Sequence, residues 1–95
     1  MVIGSLTVTI HVPESQSLKE KRQVVRSVVS RLRQTFNVAV AEVGDQDVWQ
    51  LATLGIACVS GEARHADEMC QKVLRHLENE GQALVTRSRF ELIHA

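Results

Sequence analysis

Val38-Ala39-Val40-Ala41-Glu42-Val43-Gly44-Asp45-Gln46-Asp47-Val48-Trp49-Gln50-Leu51-Ala52-Thr53-Leu54-Gly55-Ile56-Ala57-Cys58-Val59-Ser60 is the stretch whose reading decides the fold. Val38 to Val43 and Trp49 to Ser60 are β-rich, and the polar Gly44-Asp45-Gln46-Asp47 between them carries a turn glycine, so the pair reads as a β-hairpin. Both faces of this hairpin are apolar. Val38 and Val40 alternate with Ala39, Ala41 and Val43, and Leu54, Ile56 and Cys58 alternate with Gly55, Ala57 and Val59.

Outward from the hairpin, the period of the apolar residues changes from two to 3.6 on both sides. Toward the N-terminus, Ser17-Leu18-Lys19-Glu20 has the form of a capping box, in which the serine hydroxyl takes an amide of the first turn and the glutamate reaches back. A helix follows from Ser17 to Arg33, with Leu18, Val25, Val29, Leu32 and Phe36 on its core face and Asn37, a residue that tolerates the left-handed conformation, as its stop. Toward the C-terminus, a second amphipathic helix spans Glu62 to Glu80, turns Ala66, Met69, Cys70, Val73 and Leu77 inward, and meets Gly81 just beyond its end.

Strand patterns flank the helices. Val2, Leu6, Val8, Ile10 and Val12 alternate with Ser5, Thr7, Thr9 and His11 up to Pro13, and Gln82 to Ile93 carries Leu84, Phe90 and Leu92 on one side with Arg87, Arg89 and Glu91 on the other. The order β-α-β-β-α-β predicts an α+β, ferredoxin-like sandwich: one domain over residues 1–95, with a four-stranded antiparallel sheet and two helices on one face. The second face is then bare. Strand one would show it hydroxyls and a histidine, but the hairpin would show it alanine and valine. Apolar residues on both sides of a strand signal burial on both sides, which predicts a partner surface, most simply a second copy in a homo-dimer or higher homo-oligomer.

Charge is segregated rather than in excess. Eleven lysines and arginines balance eleven aspartates and glutamates, which argues against a protein that coats nucleic acid indiscriminately. Residues 17 to 33 nevertheless hold six bases and one acid, whereas residues 34 to 62 hold four acids and no base. At 100° per residue, Lys19, Arg22, Arg26 and Arg33 fall within about a 60° arc of the first helix, a rail of like charge that repels itself by a few tenths of a kcal/mol per pair. Lys21 adds charge near the helix start, and bases in the first turn also oppose the helix dipole. A polyanion such as structured RNA would explain the rail, and these five residues are the nucleic-acid-binding candidates. The alternative is neutralisation by acids of the second helix, among them Asp67, Glu68 and Glu78, in ordinary surface ion pairs. A second candidate surface is the hairpin tip, where Asp45, Gln46, Asp47 and Trp49 could contact a protein. These four supply too few oxygens at the wrong spacing for a calcium loop.

The remaining chemistry-bearing residues are dispersed. His65 and His76 lie eleven residues apart on one helix, about 16 Å, and His11 and His94 end strands whose ends lie on opposite sides of the sheet, so no metal site is expected. Cys58 and Cys70 read as small buried hydrophobes in a strand and a helix, without metal-ligand spacing. No nucleophile has a base and carboxylate beside it, and no glycine loop resembles a phosphate cradle, which speaks against an enzyme and calls for no cofactor. The chain opens on a strand pattern and has no apolar run long enough for export or a membrane span, so no membrane association is expected and the cytosol is the expected compartment.

Ser17-Leu18-Lys19-Glu20-Lys21-Arg22, then Phe36-Asn37-Val38, then Glu42-Val43-Gly44-Asp45-Gln46-Asp47-Val48-Trp49-Gln50 resemble blocks of the bacterial YlxP-like family, a domain of unknown function, and the resemblance covers nearly the whole chain. It implies the ferredoxin-like fold that periodicity reaches independently, and it brings no catalytic residues. Family members resemble products of genes beside translation and ribosome-maturation factors, which implies RNA or ribosome association by context. Two expectations result: a small RNA- or ribosome-associated accessory protein acting through the basic helix, and a homo-oligomeric protein-interaction module acting through the bare sheet and the hairpin tip. A small-ligand sensor is a third, resting on fold analogy alone. Sequence-specific RNA reading is disfavoured, because sheet modules that read single strands stack bases on aromatics and this chain has only Phe36, Trp49 and Phe90.

Overall fold

The computed structural model describes residues Met1–Ala95 as β1 (Val2–His11), α1 (Leu18–Thr35), β2 (Ala39–Gly44), β3 (Leu51–Ser60), α2 (Ala63–Glu78) and β4 (Leu84–His94). Every strand pairing is antiparallel and the sheet order is β2-β3-β1-β4. Both helices pack on one face, giving the ferredoxin-like α+β sandwich that the sequence predicts. No helix is long and apolar enough to cross a membrane.

The core lies between sheet and helices. Leu6, Val8 and Ile10 of β1, with Leu54 and Ile56 of β3, sit beneath Val25, Val28 and Leu32 of α1 and Ala66, Cys70, Val73 and Leu77 of α2, all buried. On α1 the buried stripe is Lys21, Val25, Val28 and Leu32, spaced 4, 3 and 4 residues apart. This differs from the expected face: Val28 belongs at its centre, and Val29 is displaced to a half-buried margin.

The helix ends follow local chemistry. The Glu20 amide donates to Ser17 Oγ at 3.1 Å, and the Glu20 carboxylate accepts the amide of Gln16 at 2.7 Å, one residue earlier than a standard capping box would use. α1 stops because Phe36 turns extended, and not because of Asn37: Asp45 is the only non-glycine residue with positive φ. At the end of α2, Asn79 donates from both its amide nitrogens to the Arg75 carbonyl, satisfying a terminal acceptor.

β4 departs from simple alternation. Its register to β1 shifts between Thr9 and Ile10, so that Arg87 faces Thr9 but Val85 faces Ile10. The extra residue, Thr86, donates its hydroxyl to the Thr9 carbonyl at 3.2 Å. A bulge inverts the faces of everything beyond it. Leu84 therefore leaves the core side expected for it, pairs with His11 on the bare face, and is 58% exposed, while Phe90 and Leu92 remain half-buried on the helix side.

Candidate nucleic-acid interface

Lys19, Arg22, Arg26 and Arg33 are all exposed along one flank of α1. The flank opposite carries Arg31, whose guanidinium meets the Glu80 carboxylate at 2.7 Å and the Ser27 hydroxyl at 2.7 Å. The protein's four ion pairs use Lys21, Arg31, Arg64 and Arg89, so no carboxylate lies within pairing distance of the four rail residues. Neutralisation by α2 is not what the structure shows: Glu68 pairs with Arg64 on its own helix, Asp67 accepts from Gln71, and Glu78 pairs with nothing. No ion pair within the protein engages the like charge along this flank.

Lys21 does not belong to that surface. It projects from the core stripe and is fully buried, with its ammonium held by Glu42 Oε2 (3.0 Å) and the carbonyls of Asp45 (2.8 Å), Gln46 (3.1 Å) and Leu51 (3.1 Å). Four acceptors surround three N–H bonds, so the cation is fully satisfied inside the protein and has nothing left for a phosphate. The assignment of Lys21 to the nucleic-acid candidates is corrected accordingly. Its role is to tie the start of α1 to the loop between β2 and β3. A signal was present in the sequence, since 21, 25, 28 and 32 form one helical stripe and a lysine inside an apolar stripe implies a buried partner.

Beside the rail, a groove of about 450 Å³ runs between α1 and the edge strand β2. Its lining combines the cationic Arg26 and Arg33, the apolar Val25, Val29 and Val40, and the carboxylate of Glu42. Arg33 donates to the Val40 carbonyl at 2.7 Å, covering part of an edge strand that would otherwise present bare main-chain groups. Sequence reasoning missed this groove, because it depends on which edge of the sheet α1 overhangs. Val29 at the margin of the helix face was the available hint.

The hairpin tip divides its four candidates. Asp45 adopts φ 60°, and its carboxylate accepts the Thr53 hydroxyl at 2.7 Å. Gln46 bonds back to the Glu42 carbonyl, and both residues give their own carbonyls to Lys21. Asp47 and Trp49 point outward, with Trp49 48% exposed beside an exposed Val48. The tip is thus a loop hydrogen-bonded at Asp45 and Gln46 that displays a tryptophan.

The cysteines meet, which their spacing does not reveal. Cys58 on β3 and Cys70 on α2 lie 3.9 Å apart, sulfur to sulfur, and both are buried. Burial, with Cys58 and Asp67 adding to it, pushes the Cys70 thiol from 9.0 up to about 12, so it is protonated and unreactive at neutral pH. The fold holds this proton longer than the unfolded chain does. Stability is therefore unaffected below pH 9.0 and falls as pH rises from there toward about 12. Urea midpoints across that window should drop more steeply for the native protein than for Cys70→Ala; equal slopes would remove the buried thiol as the cause.

The histidines stay apart. His11 and His94 lie at opposite ends of the β1–β4 ladder, His65 bonds Ser60, and His76 packs edge-on against Phe36 at 5.6 Å. No group of three His, Cys, Asp or Glu residues converges.

Two comparisons bear on this arrangement. Residues 3–90 match the family described as "Protein of unknown function (DUF503)". Over 79 residues the chain is 35% identical to the "Uncharacterized protein YlxP" of Bacillus subtilis (strain 168), a match covering 81% of this chain and 86% of that protein. A profile that spans almost every element, joined to a relative at this identity, shows that the chain belongs to the DUF503 family.

Proposed function

We propose that this protein is a small accessory module that binds structured RNA, free or within the ribosome, through the sugar-phosphate backbone, using Lys19, Arg22, Arg26 and Arg33. The observation that carries the reading is that four exposed bases on one flank of a single helix all lie beyond pairing distance of any carboxylate, whereas the three other unpaired bases, Lys72, Arg75 and Arg87, are divided between α2 and β4. From Lys19 to Arg33 the rail extends about 21 Å at 1.5 Å per residue, long enough to follow several phosphates. The groove beside Arg26 and Arg33 gives room for a ribose or an unstacked base next to those contacts.

Recognition is of backbone and shape. Phe36 and Phe90 are half-buried against the core and Trp49 sits at the hairpin tip, so no ring lies at the centre of the sheet to stack a base. About four phosphate contacts give a salt slope near −3, so affinity for an RNA hairpin should fall on the order of a hundredfold between 50 and 200 mM salt. Arg22→Glu with Arg26→Glu should weaken binding more than tenfold at low salt and reduce the slope by about half. Filter binding of native and variant protein to ribosomal RNA and to an isolated hairpin measures both quantities. Unchanged affinity and slope in the double variant would refute the assignment.

A further inference from the structure

The groove beside the rail is not built as a phosphate site. Arg26 and Arg33 in its lining attract anions, but Glu42 repels them, and Val25, Val29 and Val40 offer contact that only an apolar surface uses. At about 450 Å³ it has the size of a small-ligand pocket. A matching ligand carries hydrogen-bond donors on one edge, acceptors on another, and apolar faces between them.

Both polar ends have bonding capacity left. Glu42 commits Oε2 to the buried Lys21 ammonium at 3.0 Å, while its Oε1 makes no hydrogen bond. No buried polar side-chain atom in the protein lacks a partner, so that unbonded oxygen is open to solvent. Arg33 gives one Nη2 hydrogen to the Val40 carbonyl, which leaves the other N–H donors of its guanidinium uncommitted. Val40 and Glu42 lie two residues apart on β2, about 7 Å at 3.3 Å per residue, an offset comparable with the width of a purine.

We infer that the groove holds one unstacked guanine, with Glu42 accepting from N1–H and the N2 amine, and Arg33 or Arg26 donating to O6 and N7. Arginine on O6 and N7 is the commonest specific contact to this base. The carboxylate completes the selection, because no other RNA base presents two adjacent donors on one edge, and adenine would set its N1 lone pair against Glu42. The assignment rests on the RNA reading above and adds one point of base readout to it. Arg26 and Arg33 belong to both rail and groove, so a nucleotide whose phosphate meets the rail can turn its base inward.

Hairpin RNAs identical except for one loop nucleotide, compared at fixed salt, provide the test. Guanine in the loop should bind at least tenfold more tightly than adenine, with inosine, which lacks only the N2 amine, between them. Glu42→Gln should bring the guanine-to-adenine ratio close to one, because Lys21 draws the amide oxygen to itself and turns an NH2 group toward the guanine donors. Circular dichroism identifies a variant that has failed to fold. Ser30→Trp, at an exposed position of the groove lining and outside the buried ion pair, should also bring the ratio close to one by filling the groove. Guanosine monophosphate alone separates a loop guanine from a free nucleotide, and should compete with the guanine hairpin only at far higher concentration. Hairpins that bind with a ratio near one in the native protein would overturn the guanine assignment and leave the backbone reading standing, and a ratio unmoved by Ser30→Trp would overturn it too. Guanosine monophosphate that binds where no hairpin does would support the guanine pocket while refuting the RNA reading. Failure of every probe to bind would overturn both.

Discussion

Replacing Lys21 by methionine is expected to remove about 3–5 kcal/mol of stability, the usual result of deleting one member of a buried ion pair. The Glu42 carboxylate, 19% exposed, loses its counter-ion, and three main-chain carbonyls lose a donor in the same step. Against a total of about 5–15 kcal/mol for a domain of this kind, that leaves the fold marginal or lost. The loop between β2 and β3 should be the first region to loosen, because the Asp45, Gln46 and Leu51 carbonyls all depend on this ammonium. Arginine should not rescue: a planar fork does not fit a pocket of four acceptors grouped around one nitrogen. Pairing Lys21→Met with Glu42→Gln should recover part of the loss by removing the orphaned charge. Urea denaturation followed by circular dichroism measures all three variants. A loss below about 1 kcal/mol for Lys21→Met would show that the ammonium is not the tie described above. Arg26→Glu, one turn away on the exposed flank, should stay within about 0.5 kcal/mol of the native protein.

Gly4→Ala is expected to destabilise by about 3 kcal/mol, the upper end of overpacking by a single carbon. A Cβ at this position would stand 2.9 Å from both Cys58 Sγ and Cys70 Sγ and 3.1 Å from the Ala66 carbonyl. The carbonyl belongs to α2 and cannot yield without moving the helix. Conformational freedom is not the issue, since Gly4 has no positive φ. Its absent side chain is the space in which two thiols and a helix backbone converge. Cys70→Ala vacates part of that space, so the alanine at position 4 should be markedly better tolerated in a Cys70→Ala background, a coupling that a double-mutant cycle reads directly. Strict additivity of the two changes would contradict the packing account.

The same residues show how far the sequence could be read. Periodicity located all six elements, because strands of alternating apolar residues and helices with an apolar stripe must bury those faces somewhere. The bulge at Thr86 was not legible: one added residue inverts Leu84 to the other face without altering composition. The meeting of Cys58 and Cys70 depends on how α2 lies over β3, which no local spacing encodes. The rail was legible because it is a property of one helix, and helical angles follow from residue numbers alone. Lys21 shows the limit of that logic. Charge alone placed it with its neighbours, but its angle, shared with Val25, Val28 and Leu32, placed it in the core, and the angle prevailed because four acceptors await it there.

The helices occupy one side of the sheet and leave the other clear, so the two surfaces look in opposite directions. A polyanion gripped along the basic ridge would rest on one wall of the molecule and leave the opposite wall uncovered. Occupancy of either wall therefore does not compete for space with occupancy of the other.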